Sequence, residues 1–326
     1  VPLVDRASIA SALRRKISTA VEAIEQAGSL AAATSKRLKR EVKVALSGSW
    51  ESALLKATWP DDFPPDEDLV RSLVEAVQDF KKDRDVTKYS AQHRVLLRKL
   101  WAKMSEPDWR TAAKALYLFQ CMVREMSVEQ HEVFEVFLGK MSRERDKKTG
   151  RKYFDKHVLC DLDEEGEVFC SFLERYGTYV FNRAEDFDGR FQKLANMGHE
   201  DGWEHAVSAL SMASETINLG LACQPEPEEE TELTVLCVHE VALDMHELWQ
   251  SYHFALDWVL AAADEGSLFD GVDPSVVAQY LGDFTTHYAD SHNEVTAFLM
   301  NAEELLDMYG VEVPDLSLPP AHKFDG

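Results

Sequence analysis

Few of the features that mark secreted, membrane-spanning or metal-binding proteins occur in this chain. Its five cysteines are an odd number, widely spaced and in no CxxC or Cys/His arrangement, so neither a disulfide framework nor a zinc site is predicted. No apolar run approaches the length of about 18 residues that a membrane-spanning helix needs, and no charged-then-apolar leader is followed by a cleavage site. We therefore expect a reducing, cytosolic compartment and only peripheral contact with membranes.

Strand patterns are equally scarce, because alternating β-branched residues bounded by turns hardly occur. Apolar side chains instead recur at intervals of three and four residues, as they do along the buried face of a helix. Segment 108–126 shows this spacing after Asp108, which we expect to cap the helix, and it places Lys114 and Arg124 on the polar side. The apolar row of this segment is Ala112, Ala115, Phe119, Met122 and Met126.

The same spacing predicts three further helices in the second half, over 206–222, 233–262 and 273–308. Some nine to eleven helices result, joined by short loops that make neighbours antiparallel. Ten helices are too many for one simple bundle, and the common repeat periods are missing, so we predict an all-α, right-handed helical solenoid. The apolar rows are Val241, Met245, Leu248, Tyr252, Ala255 and Val259, then Val276, Tyr280 and Phe284, then Val295, Leu299, Ala302 and Leu306. Predicted breaks fall at 59–65, 105–107, 146–150, 163–166, 198–202, 224–232, 266–274 and 314–320.

Charge is distributed unevenly along the chain. Residues 1–56 contain 10 Lys/Arg and 5 Asp/Glu, which leaves 25 and 53 for the remainder. Like charges repel within a Debye length of about 8 Å, so the acidic body disfavours non-specific binding to nucleic acid or anionic lipid. We predict no nucleic-acid partner, and any other anionic partner needs a local basic patch.

Two basic patches meet that need. The first either contacts a membrane or forms the charged face of a surface helix, and it follows the amphipathic segment 8–26 with its cations Arg14, Arg15 and Lys16. The second, segment 140–156, has eight cations against three acids around a glycine turn, and its alternatives are contact with lipid, contact with a partner tail, or no binding role. Candidate residues are Lys36, Arg37, Lys39, Arg40 and Lys43 in the first patch and Lys147, Lys148, Arg151 and Lys152 in the second.

Two motifs carry a family resemblance. Lys56-Ala57-Thr58 ends a predicted helix before a proline-broken loop, and about fifty residues later Trp109 opens a Trp-x4-Lys-Ala-Leu helix. Segment 172–187 follows the pattern Phe-x-Arg-Arg-Tyr-x-x-Tyr-Leu, with Glu174 in place of the first Arg and Val180 in place of Leu. Over about residues 40–310 the chain resembles the ANTH domain of clathrin-assembly adaptors. The related ENTH and VHS domains share the tryptophan motif but are shorter than this helical chain.

The resemblance implies a domain plan and a function. Residues 1–35 are an amphipathic or flexible lead-in, 36–315 are the ANTH-like domain with halves 36–197 and 198–315, and 316–326 are a tail. The implied function is that of an endocytic adaptor in clathrin-coat assembly and vesicle budding. Such an adaptor is cytoplasmic and peripheral at the plasma membrane or at clathrin-coated pits and vesicles. The implied partners are an anionic phospholipid or phosphoinositide, clathrin, an adaptor complex, and a SNARE or other cargo helix.

The family's lipid site is altered in this sequence. The resemblance implies that the lysine of Lys-Ala-Thr and a Lys-Lys-Lys-His run ten residues later surround the headgroup phosphates. Lys56 matches the first lysine, but the run aligns with 66–69, where the sequence is Asp-Glu-Asp-Leu. Each charge reversal weakens the interaction with the headgroup phosphates by roughly 1 kcal/mol or more. We therefore predict an acidic loop that caps a helix starting near Pro65, and we look for membrane binding in the basic residues before Lys56.

Enzyme-like patterns do not develop into sites. The aspartates at 61, 62, 66 and 68 resemble the magnesium motif of helical prenyl-transfer enzymes, but the prolines between them prevent a continuous helix and no second motif follows. His239, His246 and His253 lie seven residues, or about 10.5 Å of helix, apart, too far for adjacent members to share a metal. A Gly-rich phosphate loop and a Gly-x-Ser-x-Gly elbow are missing. We predict no enzymatic activity, cofactor or metal, and the alternative function is a helical interaction scaffold with no membrane role.

Overall fold

A computed structural model of the chain describes residues 40–41, 44, 48–147, 149–198, 202–264, 272–312 and 314–318. These residues form ten α-helices and three short 3-10 helices, and their only β-pairing is an isolated bridge between Arg145 and Lys152. The chain divides into two compact units, Val1–Lys56 and Ala57–Gly326. The predicted all-α class and number of helices are confirmed, and the solenoid arrangement stays a prediction.

The helices begin and end close to the predicted breaks. Loop 59–65 follows the first helix, and the three long helices of the second half match the predicted ranges to within a few residues. The α-helices are α1 (Ser49–Ala57), α2 (Glu67–Gln78), α3 (Gln92–Met104), α4 (Trp109–Glu125), α5 (Val128–Met141), α6 (Cys170–Asp186), α7 (Gln192–Ala195), α8 (Trp203–Leu221), α9 (Glu232–Asp264) and α10 (Pro274–Met308). The 3-10 helices are Lys156–Cys160, Glu167–Phe169 and Pro227–Glu229.

Aspartates cap three of the α-helices. The Asp66 carboxylate accepts hydrogen bonds from the backbone N–H groups of Asp68 and Leu69, at 2.9 and 3.3 Å, and so begins α2. Asp108 accepts from the N–H of Thr111 at 2.8 Å to begin α4, and Asp273 caps α10 before a proline in its first turn. The predicted caps at Asp108 and in the acidic loop before α2 are therefore confirmed.

Helix α4 is enclosed by other helices. It packs against α2, α3, α6 and α9, so it has no broad face toward solvent. Lys114 and Arg124, which we assigned to a polar side, are only 2% and 7% exposed. That assignment is wrong because helices approach α4 from several directions, and both cations are buried beside carboxylates.

Helices α8, α9 and α10 pack against one another in the second half. The predicted apolar row of α9 is buried throughout, as is the row from Val295 to Leu306 on α10. The beginning of α10 differs, because Val276 and Tyr280 are 40% and 41% exposed while Val277 is buried. The buried face there is rotated by one residue from the predicted one, although Phe284 is buried as predicted. The Tyr280 ring contacts Trp203 edge-to-face and Phe284 at a tilt.

A buried polar network joins α4, α6 and α9. The Asp244 carboxylate lies 3.2 Å from Nε of Arg183, accepts a hydrogen bond from Gln120 at 2.8 Å, and accepts another from the Tyr179 hydroxyl at 3.3 Å. Arg124 lies against the same helix, 2.9 Å from Glu247. Sequence spacing did not indicate this network, since its members come from segments more than sixty residues apart.

Candidate functional site

The lysine of the tryptophan motif fixes the loop that follows Lys-Ala-Thr. Lys114 is buried, and its Nζ donates to the Trp59 carbonyl at 2.8 Å and lies 2.5 Å from the Asp61 carboxylate. Burial lowers the pKa of Lys114, and the Asp61 carboxylate opposes that shift. The charge of Lys114 is therefore used inside the protein to hold the loop in one conformation.

Arg110 joins the same loop to a second acidic segment. Its guanidinium pairs with Asp62 and, at 2.7 Å, with Glu165, although the two acids are far apart in sequence. Only 15% of the Arg110 side chain is exposed, while Asp62 and Glu165 are largely exposed. The first turn of α4 thus organises two loops through one cation.

The aspartates at 61, 62, 66 and 68 have structural partners. Asp61 pairs with Lys114, Asp62 with Arg110, and Asp68 with Arg71 at 3.1 Å, while Asp66 caps α2. The acids at the start of α2 also face the positive end of the helix dipole. Across the described residues, no group of three His, Cys, Asp or Glu side chains is placed to hold a metal ion.

The first basic patch lies mostly outside the described residues. Lys36, Arg37, Lys39 and Lys43 fall there, as do Arg14, Arg15 and Lys16. Arg40 is described and is half-buried in a helical segment. Lys56, the match to the family's first lysine, is exposed in the last turn of α1.

The second basic patch forms a tight hairpin between α5 and the first 3-10 helix. The N–H of Asp146 donates to the Arg151 carbonyl at 2.7 Å, and the N–H of Tyr153 donates to the Glu144 carbonyl at 3.2 Å. Gly150 has a φ of +71°, a left-handed conformation that glycine adopts without steric cost. Residues 143–152 are named the basic hairpin below, with Lys148 outside the described residues.

The basic hairpin presents an exposed group of cations. Lys147 lies over the ring of Tyr89 at 5.0 Å, and Arg94 contacts the same ring at 4.5 Å. Arg151 pairs with Asp161 at 2.5 Å but keeps 44% of its side chain exposed. The structure therefore brings the described second-patch candidates Lys147, Arg151 and Lys152 together on one turn. The exposed cations are Arg143, Arg145, Lys147, Arg151 and Lys152.

An open groove of roughly 500 Å³ lies where α2 and α9 both pack on α4. Its floor includes Val70, Val74 and Leu243, with the Tyr117 and Cys121 side chains of α4. Three arginines and three glutamates also line it, so these side chains bring no net charge. The charged residues are Arg71, Arg124, Arg190, Glu67, Glu125 and Glu240.

A smaller cavity of roughly 80 Å³ holds side chains with shifted pKa values. Burial, reinforced by Arg183, lowers the pKa of His131 to about 4, and its Nε2 lies 3.3 Å from the Ala184 carbonyl. Burial, reinforced by Glu185 and Glu215, raises the pKa of Asp186 to about 6. His131 and Asp186, which both line this cavity, therefore make stability depend on pH in opposite directions.

Cys160 and Cys170 form a disulfide, with their Cα atoms 4.8 Å apart. Our expectation that the cysteines form no disulfide is wrong. The chain between the first 3-10 helix and α6 reverses direction and brings two cysteines ten residues apart into contact. Cys121, Cys223 and Cys237 are free and buried, and burial raises the pKa of each thiol. These three thiols are consequently poor nucleophiles.

The three histidines along α9 contact different neighbours. His239 lies 3.5 Å from Glu240, His246 lies 3.1 Å from Gln250, and His253 lies 3.6 Å from Asp257. Each contact lies within one turn of the same helix. This arrangement matches histidines with separate local roles.

Comparison with known proteins gives no family assignment. No protein-family model matches the chain, and a search of curated proteins finds no similar sequence. Among the helices that the structure describes, none combines the length and apolar character needed to cross a bilayer.

Proposed function

We propose that this chain is an atypical ANTH-like adaptor domain that binds an anionic membrane surface peripherally through its basic hairpin. The resemblance is supported by the roles of its signature residues: Lys114 holds the loop after Lys-Ala-Thr, and Trp109 begins the enclosed helix α4. A motif whose residues fix a loop and a core helix is informative about fold, and its link to function is an inference.

The observation that carries the proposal is the exposed charge of the basic hairpin. Five described cations lie on a short turn held by backbone hydrogen bonds, in a chain whose net charge is −23. Each Lys or Arg near an anionic bilayer contributes about 1 kcal/mol of attraction. Several such contributions add up to useful affinity even though the rest of the body is repelled.

The standard headgroup position contributes little to this binding. Asp66 caps α2 and Asp68 pairs with Arg71, while Lys114 and Arg110 hold Asp61 and Asp62 of the preceding loop, so these carboxylates are held in place. Where the resemblance expects a basic run, the sequence has three carboxylates at 66–68, and these repel a phosphoinositide headgroup. The proposed contact is therefore displaced from Lys-Ala-Thr to the basic hairpin, with the front patch as a second contributor.

The cellular role that follows is clathrin-coat assembly and vesicle budding. In this role the domain lies in the cytoplasm at the plasma membrane or on coated pits and vesicles. Clathrin, an adaptor complex and a SNARE or cargo helix are the partners that the resemblance suggests. These assignments depend on the family resemblance alone.

Sedimentation with vesicles tests the membrane contact. The protein is mixed with phosphatidylcholine vesicles that contain phosphatidylserine, PIP2 or neither, at low and high salt. We expect it to pellet with the anionic vesicles only, and to be released as salt rises. Reversal of Lys147, Arg151 and Lys152 to Glu should weaken binding at least about tenfold.

A matched variant controls for total charge. Reversal of Arg71, Arg190 and Lys193 to Glu makes the same change in net charge on other, exposed parts of the surface. It should leave binding much closer to wild type than the hairpin variant does. Reversal of Lys36, Arg37, Lys39 and Arg40 measures the contribution of the front patch separately.

The alternative is a helical interaction scaffold with no membrane role. It is favoured by the acidic surface around Arg110, where Asp62 and Glu165 keep 76% and 69% of their side chains exposed. Such a surface suits a basic protein partner by charge complementarity. If the protein pellets with none of the vesicle compositions at low salt, the scaffold is the better description.

A further inference from the structure

The disulfide between Cys160 and Cys170 closes segment 161–169, the acidic loop. Among the five cysteines, all of which the structure describes, these two are half-buried while the other three are buried. The two cysteines of this bond are therefore closer to solvent than the three free thiols. The carboxylates of the acidic loop are Asp161, Asp163, Glu164, Glu165 and Glu167.

The acidic loop is docked on the beginning of α4. The N–H of Asp163 donates to the Pro107 carbonyl at 2.9 Å, and the ring of Phe169, next to Cys170, stacks on Trp109 at 3.7 Å between centroids. Gly166 lies against Trp109 so closely that an added Cβ would be 3.2 Å from the tryptophan Cβ. The disulfide closes the loop next to these contacts and adds a covalent constraint to them.

Two ion pairs connect the acidic loop to the sites described above. Asp161, directly after Cys160, pairs with Arg151 of the basic hairpin at 2.5 Å. Glu165 pairs with Arg110, which also holds Asp62 of loop 59–65. The closed loop therefore occupies one cation of the proposed membrane contact and one cation that organises the motif loop.

We propose that the Cys160–Cys170 disulfide is a reversible redox switch that locks the acidic loop onto α4 and keeps Arg151 paired with Asp161. A dithiol reductant passes two electrons and two protons to the S–S bond. The bond breaks to give two cysteine thiols, and the reductant becomes a disulfide. Once open, the loop no longer holds Asp161 beside Arg151, and the basic hairpin gains an available cation. Its expected effect on lipid binding rests on the proposed function.

Amide hydrogen exchange tests the lock directly. Protein prepared under oxidising conditions is compared with protein reduced by dithiothreitol, and alkylation followed by mass analysis reports the state of each cysteine. We expect exchange in 161–169 to become about tenfold faster on reduction. The Cys160→Ser variant should exchange fast with or without reductant. Equal exchange in the two states of the wild type, or free thiols at 160 and 170 under oxidising conditions, overturns the switch.

Vesicle binding tests the consequence. Reduced protein should bind phosphatidylserine vesicles about fivefold more tightly than oxidised protein, because one more cation faces the surface. Oxidised Asp161→Asn protein should bind like the reduced wild type. Exchange that responds to reduction without vesicle binding in either state supports the switch and removes the proposed function. Vesicle binding together with amide exchange that is unchanged by reduction supports the proposed function and overturns the switch.

Discussion

Nε of Arg183 lies 3.2 Å from Oδ2 of Asp244, and neither side chain is exposed to solvent. The pair joins α6 to α9, and the guanidinium also donates to the carbonyls of Phe187 and Gly189 in the turn after α6. Taking two charges out of water is unfavourable unless each is paired and hydrogen-bonded. Here the two charges are paired, and Oδ2 of Asp244 also accepts hydrogen bonds from Gln120 and Tyr179, so the network favours one particular packing of α4, α6 and α9.

Removing one member of this pair should be severe. Asp244→Ala leaves Arg183 buried without its carboxylate, and we expect the free energy of unfolding to fall by about 3–5 kcal/mol. Urea unfolding followed by circular dichroism measures the change. The Asp257→Ala variant is the control, since Asp257 lies on the same helix with 44% of its side chain exposed. A loss below about 1 kcal/mol for Asp244→Ala would show that the network is not important for stability.

The motif lysine should act through the loop that it holds. Lys114→Met keeps much of the apolar volume but removes the donor to the Trp59 carbonyl and the partner of Asp61. We expect a loss of about 1–3 kcal/mol and faster amide exchange in 59–65. Lys81→Met, at an exposed position, is the control. Unchanged exchange in that loop would contradict the role given to Lys114.

The basic hairpin should depend on its glycine. Gly150→Ala forces a residue with a Cβ into a φ of +71°, which costs about 1–2 kcal/mol. Space is not the reason, because an added Cβ would meet no atom within 4 Å. We expect weaker vesicle binding together with altered amide signals in 144–153. Gly139→Ala is the control, because Gly139 lies inside α5 and is equally uncrowded. It should leave vesicle binding and the amide signals of 144–153 unchanged, with stability equal to wild type or slightly higher.

Stability should respond to pH in opposite ways through His131 and Asp186. The folded-state pKa of His131, about 4, is below its ordinary value of 6.5, so its stabilising effect is complete above about pH 6.5 and is lost as the pH falls toward 4. The folded-state pKa of Asp186, about 6, is above its ordinary value of 3.8, so its effect is present at low pH and is lost as the pH rises through 6. Between pH 4 and 6 the two dependences oppose each other.

Single variants should separate these two dependences. Asp186→Asn leaves the His131 effect uncompensated, so unfolding free energy should fall more steeply than in wild type as the pH drops from 6 to 4. His131→Gln should show the reverse, a flatter or rising stability over the same interval. Urea unfolding at pH 4.5, 5.5 and 7.5 measures both slopes. Parallel pH profiles for the two variants and wild type would contradict the assignment.

Local signals in the sequence predicted much of the fold. The caps Asp66 and Asp108 depend on a side chain and the backbone two or three residues later, so they can be inferred from a short segment. The spacing of apolar residues similarly located the bounds of α8, α9 and α10. The alignment that placed acids at 66–68 also identified the loop whose carboxylates Lys114 and Arg110 hold.

Features that depend on distant neighbours were missed. Lys114 and Arg124 look like polar-face residues until α2, α3, α6 and α9 enclose α4. The rotation of the buried face at the start of α10 depends on how that helix meets its neighbours, and no periodicity within the helix reveals it. The cysteines at 160 and 170 carry no spacing signature, and only the return of the chain before α6 brings them together.

The Arg183–Asp244 network also determines which pieces of the chain can exist alone. A fragment that stops at residue 197 keeps Arg124 and Arg183 but lacks the α9 carboxylates Glu240, Asp244 and Glu247 that pair with them. It would expose the apolar surface of α4 and α6 together with two cations shaped for burial. We therefore expect that the predicted first half, 36–197, does not fold on its own, and that any replacement of the second half has to supply carboxylates at the positions of Glu240, Asp244 and Glu247.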